Sequence, residues 1–188
     1  MIRKILLSNN PILRRKSKPV TKIDKKVKDL IKDLKDTLGV QKEPEGVGLA
    51  APQIGKNLRI FAANYKPSLA SQGPGKGFER IVINPEIISV SDGKWKMENG
   101  KSKDHEILEG CLSLPYYYGP LKRAPKITIK YMDEKGKEIT ETFEGFNAQI
   151  VMHEIDHLEG ILFVDHIINE KKPLYKVEGD EWEEVELI

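Results

Sequence analysis

The chain has 188 residues, 39% of them hydrophobic and 32% charged, which favours one folded domain over a disordered chain. Aromatic residues make up only 7%, which argues against a stacking platform for single-stranded nucleic acid. Its apolar runs are too short to span a bilayer. The single cysteine, Cys111, excludes an internal disulfide and favours a reducing compartment, so we expect a cytoplasmic protein.

The net charge of +2 is unevenly distributed along the chain. Residues 1–40 contain 12 lysines and arginines against four aspartates, whereas residues 169–188 contain three lysines against seven acidic residues. A basic N-terminal region could favour an anionic surface such as ribosomal RNA. A solvated helix face followed by an acidic tail explains the same pattern without a partner. We expect neither a membrane nor DNA as a partner.

The first predicted element is an N-terminal amphipathic helix. Thr21 and Asp24 match a capping box, and Gly39 is a plausible stop. Between them, apolar residues recur at spacings of three and four, while lysines and aspartates occupy the other faces. The apolar positions are Ile23, Val27, Leu30, Ile31, Leu34 and Leu38.

The middle of the chain is dominated by patterns typical of strands. They occur at 58–64 and 81–88, and apolar residues alternate with polar ones at 127–131. Residues 67–77 and 91–104 have the composition of surface loops. Because turns rather than repeated helical crossovers link these strands, we expect mainly antiparallel sheets.

A second helix follows, with Asn147 as its expected N-cap and Gly160 as its stop. Its apolar content predicts a buried helix at the centre of the fold. The chain then ends in an extended segment. These elements predict an α+β fold in which mainly antiparallel sheets surround one central helix.

The strongest chemical signal is the sequence His153-Glu154-Ile155-Asp156-His157 on this second helix. Positions i and i+4 of a helix share a face, so the two imidazoles can hold one metal ion and Glu154 can hold a water beside it. The alternative is a pair of surface histidines with a glutamate neighbour. Two of the chain's four histidines stand here in an apolar helix, which favours a metal site.

A catalytic metal site needs a third protein ligand and an open position. Downstream candidates are Glu159, Asp165 and His166, although none stands in the pattern of the metzincins. Upstream stands Cys111, inside the sequence EGCLS at 109–113. A lone cysteine is most often a small buried hydrophobe. Cysteine together with two histidines would nevertheless suit a borderline-soft divalent ion.

Three segments together resemble the peptide deformylases: GVGLAAPQ at 46–53, EGCLS at 109–113 and HEIDH at 153–157. The similarity extends from PILR at 11–14 to LFVD at 162–165, and the three motifs follow in the order and spacing of that family. The resemblance implies a hydrolase that removes the formyl group from the N-terminal formylmethionine of new polypeptides and releases formate. Such an enzyme acts in protein biosynthesis.

The resemblance also implies a set of catalytic roles. Cys111, His153 and His157 match the family's metal ligands, and Glu154 matches its general acid and base. The metal would be one divalent ion, Fe²⁺ in most members, with Zn²⁺, Ni²⁺ or Co²⁺ also accepted. The donors to the developing oxyanion would be the Gln53 side chain and the Leu112 backbone N–H.

Further positions match the substrate site and its support. Gly48 would contact the formyl-peptide backbone, and Asp156 would orient a histidine or an arginine. Glu109 and Arg123 match a buried ion pair that braces the Cys111 strand. The pocket for the methionine side chain would be lined by Val47, Ile107, Phe146 and Ile150. The prediction is thus a single catalytic domain over 1–188 with an acidic tail at 170–188, whose central helix binds the metal.

The sequence departs from the family at three places. Met152 stands where glutamine usually precedes the first histidine, and Tyr118 stands where an arginine is common. A basic C-terminal helix, linked in some members to ribosome docking, is replaced here by the acidic tail. The weak alternation at 174–188 predicts that this tail adds an edge strand instead. A transient ribosome contact therefore stays open, while the expected partners are N-formylmethionyl nascent chains.

Two other functions compete with this interpretation. A general HExxH protease would take its third metal ligand downstream and would tolerate loss of the Cys111 thiol. A ribosome-associated or RNA-binding protein with a structural metal would have a closed site of four ligands and no turnover. Glu154 argues against the latter because a structural site needs no general base.

Overall fold

The computed structural model describes residues 1–66, 77–92, 95–96, 102–103 and 107–186. Most of the two loops predicted at 67–77 and 91–104 lies outside these residues. The helices are α1 (Lys25–Gly39), α2 (Phe146–Glu159) and α3 (Phe163–Asn169). The strands are β1 (Gly48–Ala50), β2 (Ile60–Tyr65), β3 (Phe78–Val90), β4 (Trp95–Lys96), β5 (Ser102–Lys103), β6 (Ile107–Cys111), β7 (Leu114–Leu121), β8 (Lys126–Met132), β9 (Glu138–Glu144), β10 (Leu174–Glu178) and β11 (Glu181–Val185).

The described strands form antiparallel sheets, as the turn-linked pattern predicts. One sheet has the order β1-β2-β3-β8-β9, a second has the order β11-β10-β7-β6, and β4 pairs with β5. Every strand pair within these sheets is antiparallel. The mixed α and β class with antiparallel sheets is therefore confirmed.

The five-stranded sheet lies between α1 and α2. Along β2, Ile60 and Ala62 pack in the cluster that holds the apolar face of α1, whereas Phe61 and Ala63 pack in the cluster that holds α2. This division follows from the pleat, which directs successive side chains to opposite faces. Both faces of the sheet are therefore covered, and α2 is buried between the sheet and the rest of the chain.

Both long helices begin differently from the sequence prediction. Asp24 itself caps α1, because its carboxylate accepts a hydrogen bond from the Val27 N–H at 3.0 Å. The capping box that includes Thr21 is therefore wrong. Helix α2 begins at Phe146 with Gly145 at its N-cap, so Asn147 lies inside the first turn. Its end before Gly160 agrees with the prediction.

The four-stranded sheet carries one helix that the sequence does not predict. Helix α3 packs Phe163 and Ile167 against this sheet, and its seven residues are too few to give a periodic pattern. The C-terminal segment, for which the sequence predicts an added edge strand, forms the hairpin β10–β11, which joins the edge of β7. Within the described part of the chain, no helix has the length and apolar character required to cross a membrane.

Candidate metal centre

One cysteine and two histidines from distant parts of the chain meet between the two sheets. Cys111 ends strand β6, while His153 and His157 lie one turn apart on α2. Their candidate ligand atoms all lie within 4.8 Å of one another. The Cys111 Sγ is 3.2 Å from the His157 Nε2. The i, i+4 geometry predicted from the sequence thus brings both imidazoles to one side of the helix.

The three downstream candidates for a third ligand are engaged elsewhere. Glu159 pairs with Arg59 at 2.5 Å and with Lys16 at 2.8 Å. Asp165 pairs with Arg14, and His166 pairs with an aspartate at 2.9 Å. Among the described residues, the cluster of metal-binding groups consists of Cys111 and the two histidines alone. The upstream cysteine is therefore the third candidate ligand that the structure brings to the two histidines.

The electrostatics of Cys111 suit a metal ligand. Burial alone would raise the pKa of its thiol, but the charge of His157 and hydrogen bonds with His153 and His157 lower the pKa well below its usual value. The thiolate is the form that binds a metal. One sulfur and two imidazole nitrogens match the preferences of a borderline-soft divalent ion, so this donor set fits such an ion.

Glu154 is buried beside the cluster with one carboxylate oxygen unsatisfied. Glu154 is only 2% exposed, and burial raises the pKa of its carboxyl group to about 7. Its Oε2 has no hydrogen-bond partner among the described residues. A Cβ atom at Gly48 would collide with this carboxylate, so only glycine lets β1 pass so close. This buried carboxylate oxygen is therefore available to form a hydrogen bond with a molecule bound in the site.

The side chain of Gln53 is held in one orientation. Its Oε1 accepts a hydrogen bond from the Ala50 N–H at 2.7 Å, and its Nε2 donates to the Ser113 Oγ at 3.2 Å. The same Nε2 lies 3.5 Å from the Cys111 Sγ. Leu112 lies in the tight connection between β6 and β7 and lines the same cavity. The Gln53 amide therefore borders the cluster, and Leu112 lines the cavity beside it.

A network of hydrogen-bonded charged residues contacts the Nδ1 side of the His153 ring. The His153 Nδ1 lies 2.7 Å from Glu109, which the Arg123 guanidinium grips through two hydrogen bonds of 3.0 and 2.7 Å. Arg123 also donates to Asp156 at 2.7 Å, and His166 bonds to the same carboxylate. Burial would raise the pKa of Glu109, but His153 and Arg123 hold it well below its usual value. With Nδ1 occupied, the Nε2 atom of His153 is left to face a metal.

A cavity of about 290 Å³ opens next to the cluster. Val47, Gly48, Phe146 and Ile150 line it, and all four are positions that the family resemblance assigns to the substrate site. Ile107 is not among the lining residues. It lies at the start of β6, where it pairs with buried Leu121, and its neighbour Leu108 lines the cavity instead. Mostly apolar walls with a few polar groups are typical of a site for a small side chain.

Sequence reasoning missed two buried residues of this site. Ser113 is fully buried and accepts a hydrogen bond from the Gln53 amide, and its place as the last residue of the EGCLS motif could have drawn attention to it. Gln149 donates from Nε2 to the Glu109 Oε2 at 3.1 Å. Gln149 stands about one helical turn before Met152, the position at which the family usually has glutamine. Helix α2 therefore still provides an amide donor near this position.

The chain is similar to known proteins over most of its length. A model of the polypeptide deformylase family matches residues 2–173. A peptide deformylase from Pseudothermotoga lettingae is 40% identical over 172 residues, which are 92% of this chain and 86% of the relative. The structure of a Legionella pneumophila peptide deformylase superposes with a TM-score of 0.70 at 39% identity, covering 88% of this chain and 85% of that one. An Acinetobacter baumannii peptide deformylase bound to Met-Ala-Ser gives a TM-score of 0.75 at 29% identity, covering 88% of this chain and 98% of that one.

Proposed function

Since this chain belongs to the polypeptide deformylase family, we propose that its buried Cys111, His153 and His157 hold the metal of a deformylase active site. Deformylases are metal-dependent hydrolases that remove the N-terminal formyl group from new polypeptides. The single observation that carries the proposal is the meeting of this donor set with the buried carboxyl group of Glu154. A structural metal site would not need that carboxyl group.

We assign proton transfer to Glu154. A divalent ion in this donor set would make water a nucleophile near neutral pH and polarise the formyl group. The Glu154 carboxylate accepts a proton from that water and then gives it to the amine that leaves. Its unsatisfied Oε2 and its place on the cavity wall support this role. The general acid and base is thus one residue, which acts twice.

Gln53 and Leu112 stabilise the negative charge that develops on the formyl oxygen. The Gln53 amide donates from Nε2, and its orientation is fixed because Oε1 is occupied by the Ala50 N–H. The Leu112 backbone N–H supplies a second donor. Removal of one such preorganised donor typically costs about 3 kcal/mol of transition-state stabilisation.

The substrate extends along β1 with its methionine in the cavity. Strand β1 is the outermost strand of the five-stranded sheet, so its free edge can pair with an extended peptide at Gly48. Val47, Phe146 and Ile150 surround the methionine side chain. Tyr65 meets Phe146 edge to face, with the ring centroids 4.9 Å apart, and fixes that wall. The substrates are therefore N-formylmethionyl nascent chains.

The deformylase assignment also determines the domain, the metal ion and the location that we propose. The chain forms one catalytic domain over 1–188 with acidic residues at 170–188, and α2 is its central metal-binding helix. Fe²⁺ is the ion we expect, with Zn²⁺, Ni²⁺ or Co²⁺ as substitutes, because a thiolate and two imidazoles accept each of them. The enzyme would work in the cytoplasm, where nascent chains emerge, and any contact with the ribosome would be transient.

The test measures formate release from formyl-Met-Ala-Ser by anaerobically prepared protein loaded with Fe²⁺. Glu154→Gln removes the proton acceptor at constant shape, so we expect kcat to fall about 10³-fold while the metal stays bound. Glu159→Gln is the matched control on the same helix, because its side chain pairs with Arg59 outside the cavity and should retain turnover. Equal activity in Glu154→Gln and wild type would contradict the proposal.

A second variant distinguishes a deformylase from a general HExxH protease. Cys111→Ser replaces the soft sulfur ligand, so we expect loss of both bound iron and formate release. Protein that cleaves unformylated peptides and tolerates this substitution would instead be a general HExxH protease. Metal content measured beside turnover separates loss of the ion from loss of chemistry.

A further inference from the structure

The hairpin β10–β11 continues the wall of the catalytic cavity outward. Tyr175 of β10 pairs with Tyr118 of β7, and on its other side it pairs with Glu184 of β11. Val177 pairs with Trp182 in the same hairpin. Directly paired residues share a face of a sheet, so Tyr118, Tyr175, Trp182 and Glu184 stand on one face. We call these four residues the outer face.

Ring contacts connect the residues of the outer face. The ring centroids of Tyr118 and Trp182 are 5.6 Å apart, and those of Tyr175 and Trp182 are 6.3 Å apart. Trp182 nevertheless remains 52% exposed, which is unusual for the largest apolar side chain. The two tyrosine rings therefore hold the indole in place, while about half of its surface is accessible to a ligand.

The outer face is continuous with the catalytic cavity. Tyr118 lines the cavity together with Gly110 and Tyr116. The Tyr118 ring lies directly on the Gly110 backbone, because a Cβ atom there would come within 2.6 Å of the ring. An extended peptide advances roughly 3.3 Å per residue. A chain whose methionine fills the cavity would therefore reach Trp182 within a few residues.

The charge of the hairpin indicates which side chains would bind there. Residues 174–186 contain six acidic residues, all exposed, and one lysine, Lys176, which pairs with Glu178 at 3.2 Å. An exposed indole attracts cations over its ring, and nearby carboxylates add to the attraction. Phosphates of ribosomal RNA would be repelled by the same carboxylates. A cationic peptide segment fits this surface, and RNA does not.

We propose that the outer face is an extended substrate site that binds lysine and arginine side chains of the nascent peptide a few residues after formylmethionine. This inference rests on the proposed deformylase function and adds a preference among its substrates. Trp182 supplies the ring, Glu184 supplies charge on the same face, and Tyr118 connects both to the cavity. Deformylation of chains with a basic start would thereby be favoured at low substrate concentration.

The test compares kcat/KM for formyl-Met-Ala-Ser-Lys-Lys and formyl-Met-Ala-Ser-Glu-Glu. We expect wild type to prefer the lysine peptide about tenfold, mainly through KM, and to lose part of this preference in high salt. Trp182→Ala should lower the preference about threefold, whereas Trp182→Phe keeps a ring and should retain most of it. Glu184→Lys should lower it about two- to fivefold. Glu138→Lys, an equal charge change on β9, is the control and should leave the preference as in wild type.

The outcomes separate this inference from the function on which it rests. Wild-type protein that releases no formate from formyl-Met-Ala-Ser contradicts the deformylase assignment itself. Wild-type protein that deformylates all three peptides with similar kcat/KM overturns only the extended site. The extended site is also overturned if Glu138→Lys lowers the preference as much as Glu184→Lys, because total charge would then explain the effect.

Discussion

Two clusters of ion pairs connect distant parts of this chain, and they differ in how much water reaches them. The inner cluster joins Arg123 to Glu109 and Asp156 behind the candidate metal centre. The outer cluster joins Arg3 and the Met1 amine to Asp33 on α1. The distances in both clusters lie between 2.7 and 3.0 Å, yet the side chain of Arg123 is 9% exposed and that of Arg3 is 44% exposed.

The distance between the charged atoms therefore does not by itself determine how much an ion pair contributes to the stability of the fold. In water, the gain from an exposed pair is small because solvent and salt screen it. In the interior, each charge has lost its hydration, so removal of one partner leaves the other buried and unpaired. The inner cluster should therefore be far more sensitive to substitution than the outer cluster, and it also fixes a candidate metal ligand.

The largest expected effect follows substitution in the inner cluster. Arg123→Ala would leave the Glu109 and Asp156 carboxylates without their guanidinium partner, so we expect a loss of about 3–5 kcal/mol in the free energy of unfolding. His153 would lose its fixed orientation because Glu109 would no longer be held in place. Urea unfolding and metal content after dialysis against a chelator measure the two effects.

Arg3→Ala is the matched control for this prediction, since it removes an arginine that bridges to a carboxylate at the same distance. Its cost should be about 1 kcal/mol or less, and its metal content should stay as in wild type. Equal losses of stability in the two variants would show that burial does not distinguish the clusters. Unchanged iron retention in Arg123→Ala would contradict its support of the metal site.

An intermediate effect is expected from the amide that lines the inner cluster. Gln149→Leu conserves volume but removes the donor to the Glu109 Oε2, which keeps its bond from Arg123. A hydrogen bond to a charged group contributes about 2 kcal/mol, so we expect a loss of that size and faster release of iron to a chelator. Met152→Leu is the control one turn away, with an apolar side chain in the core cluster. A larger loss in the control would assign the effect to packing.

Regular periodicity allowed much of the fold and half of the candidate site to be predicted from the sequence. The i, i+4 histidines and the apolar positions of α2 indicated a buried helix with both imidazoles on one side, and the structure has this arrangement. Alternating apolar residues indicated antiparallel strands in the middle of the chain. Such features depend on local spacing, which the pleat and the helical turn determine directly.

Other features depended on contacts between distant segments. No spacing rule places Cys111 beside His157, so periodicity alone left several third ligands open and only the family resemblance selected the cysteine. The role of Gln149 on α2 was also not visible in the sequence, because its partner Glu109 lies 40 residues away on strand β6. The short helix α3 contains too few residues for a periodic signal and is stabilised by packing on the four-stranded sheet.

The smallest expected effect is the pH dependence of the outer cluster. Burial would raise the pKa of Asp33, but hydrogen bonds from the Met1 amine and Arg3 lower it below its usual 3.8. The folded state therefore binds this proton more weakly than the unfolded chain, and the pair stabilises the protein above about pH 4. That contribution is lost as the pH falls through the lowered pKa. Asp33→Asn should cost about 1 kcal/mol at pH 6 and approach no cost near pH 2, measured by urea unfolding. A cost that stays constant down to pH 2 would assign the effect to packing and not to charge.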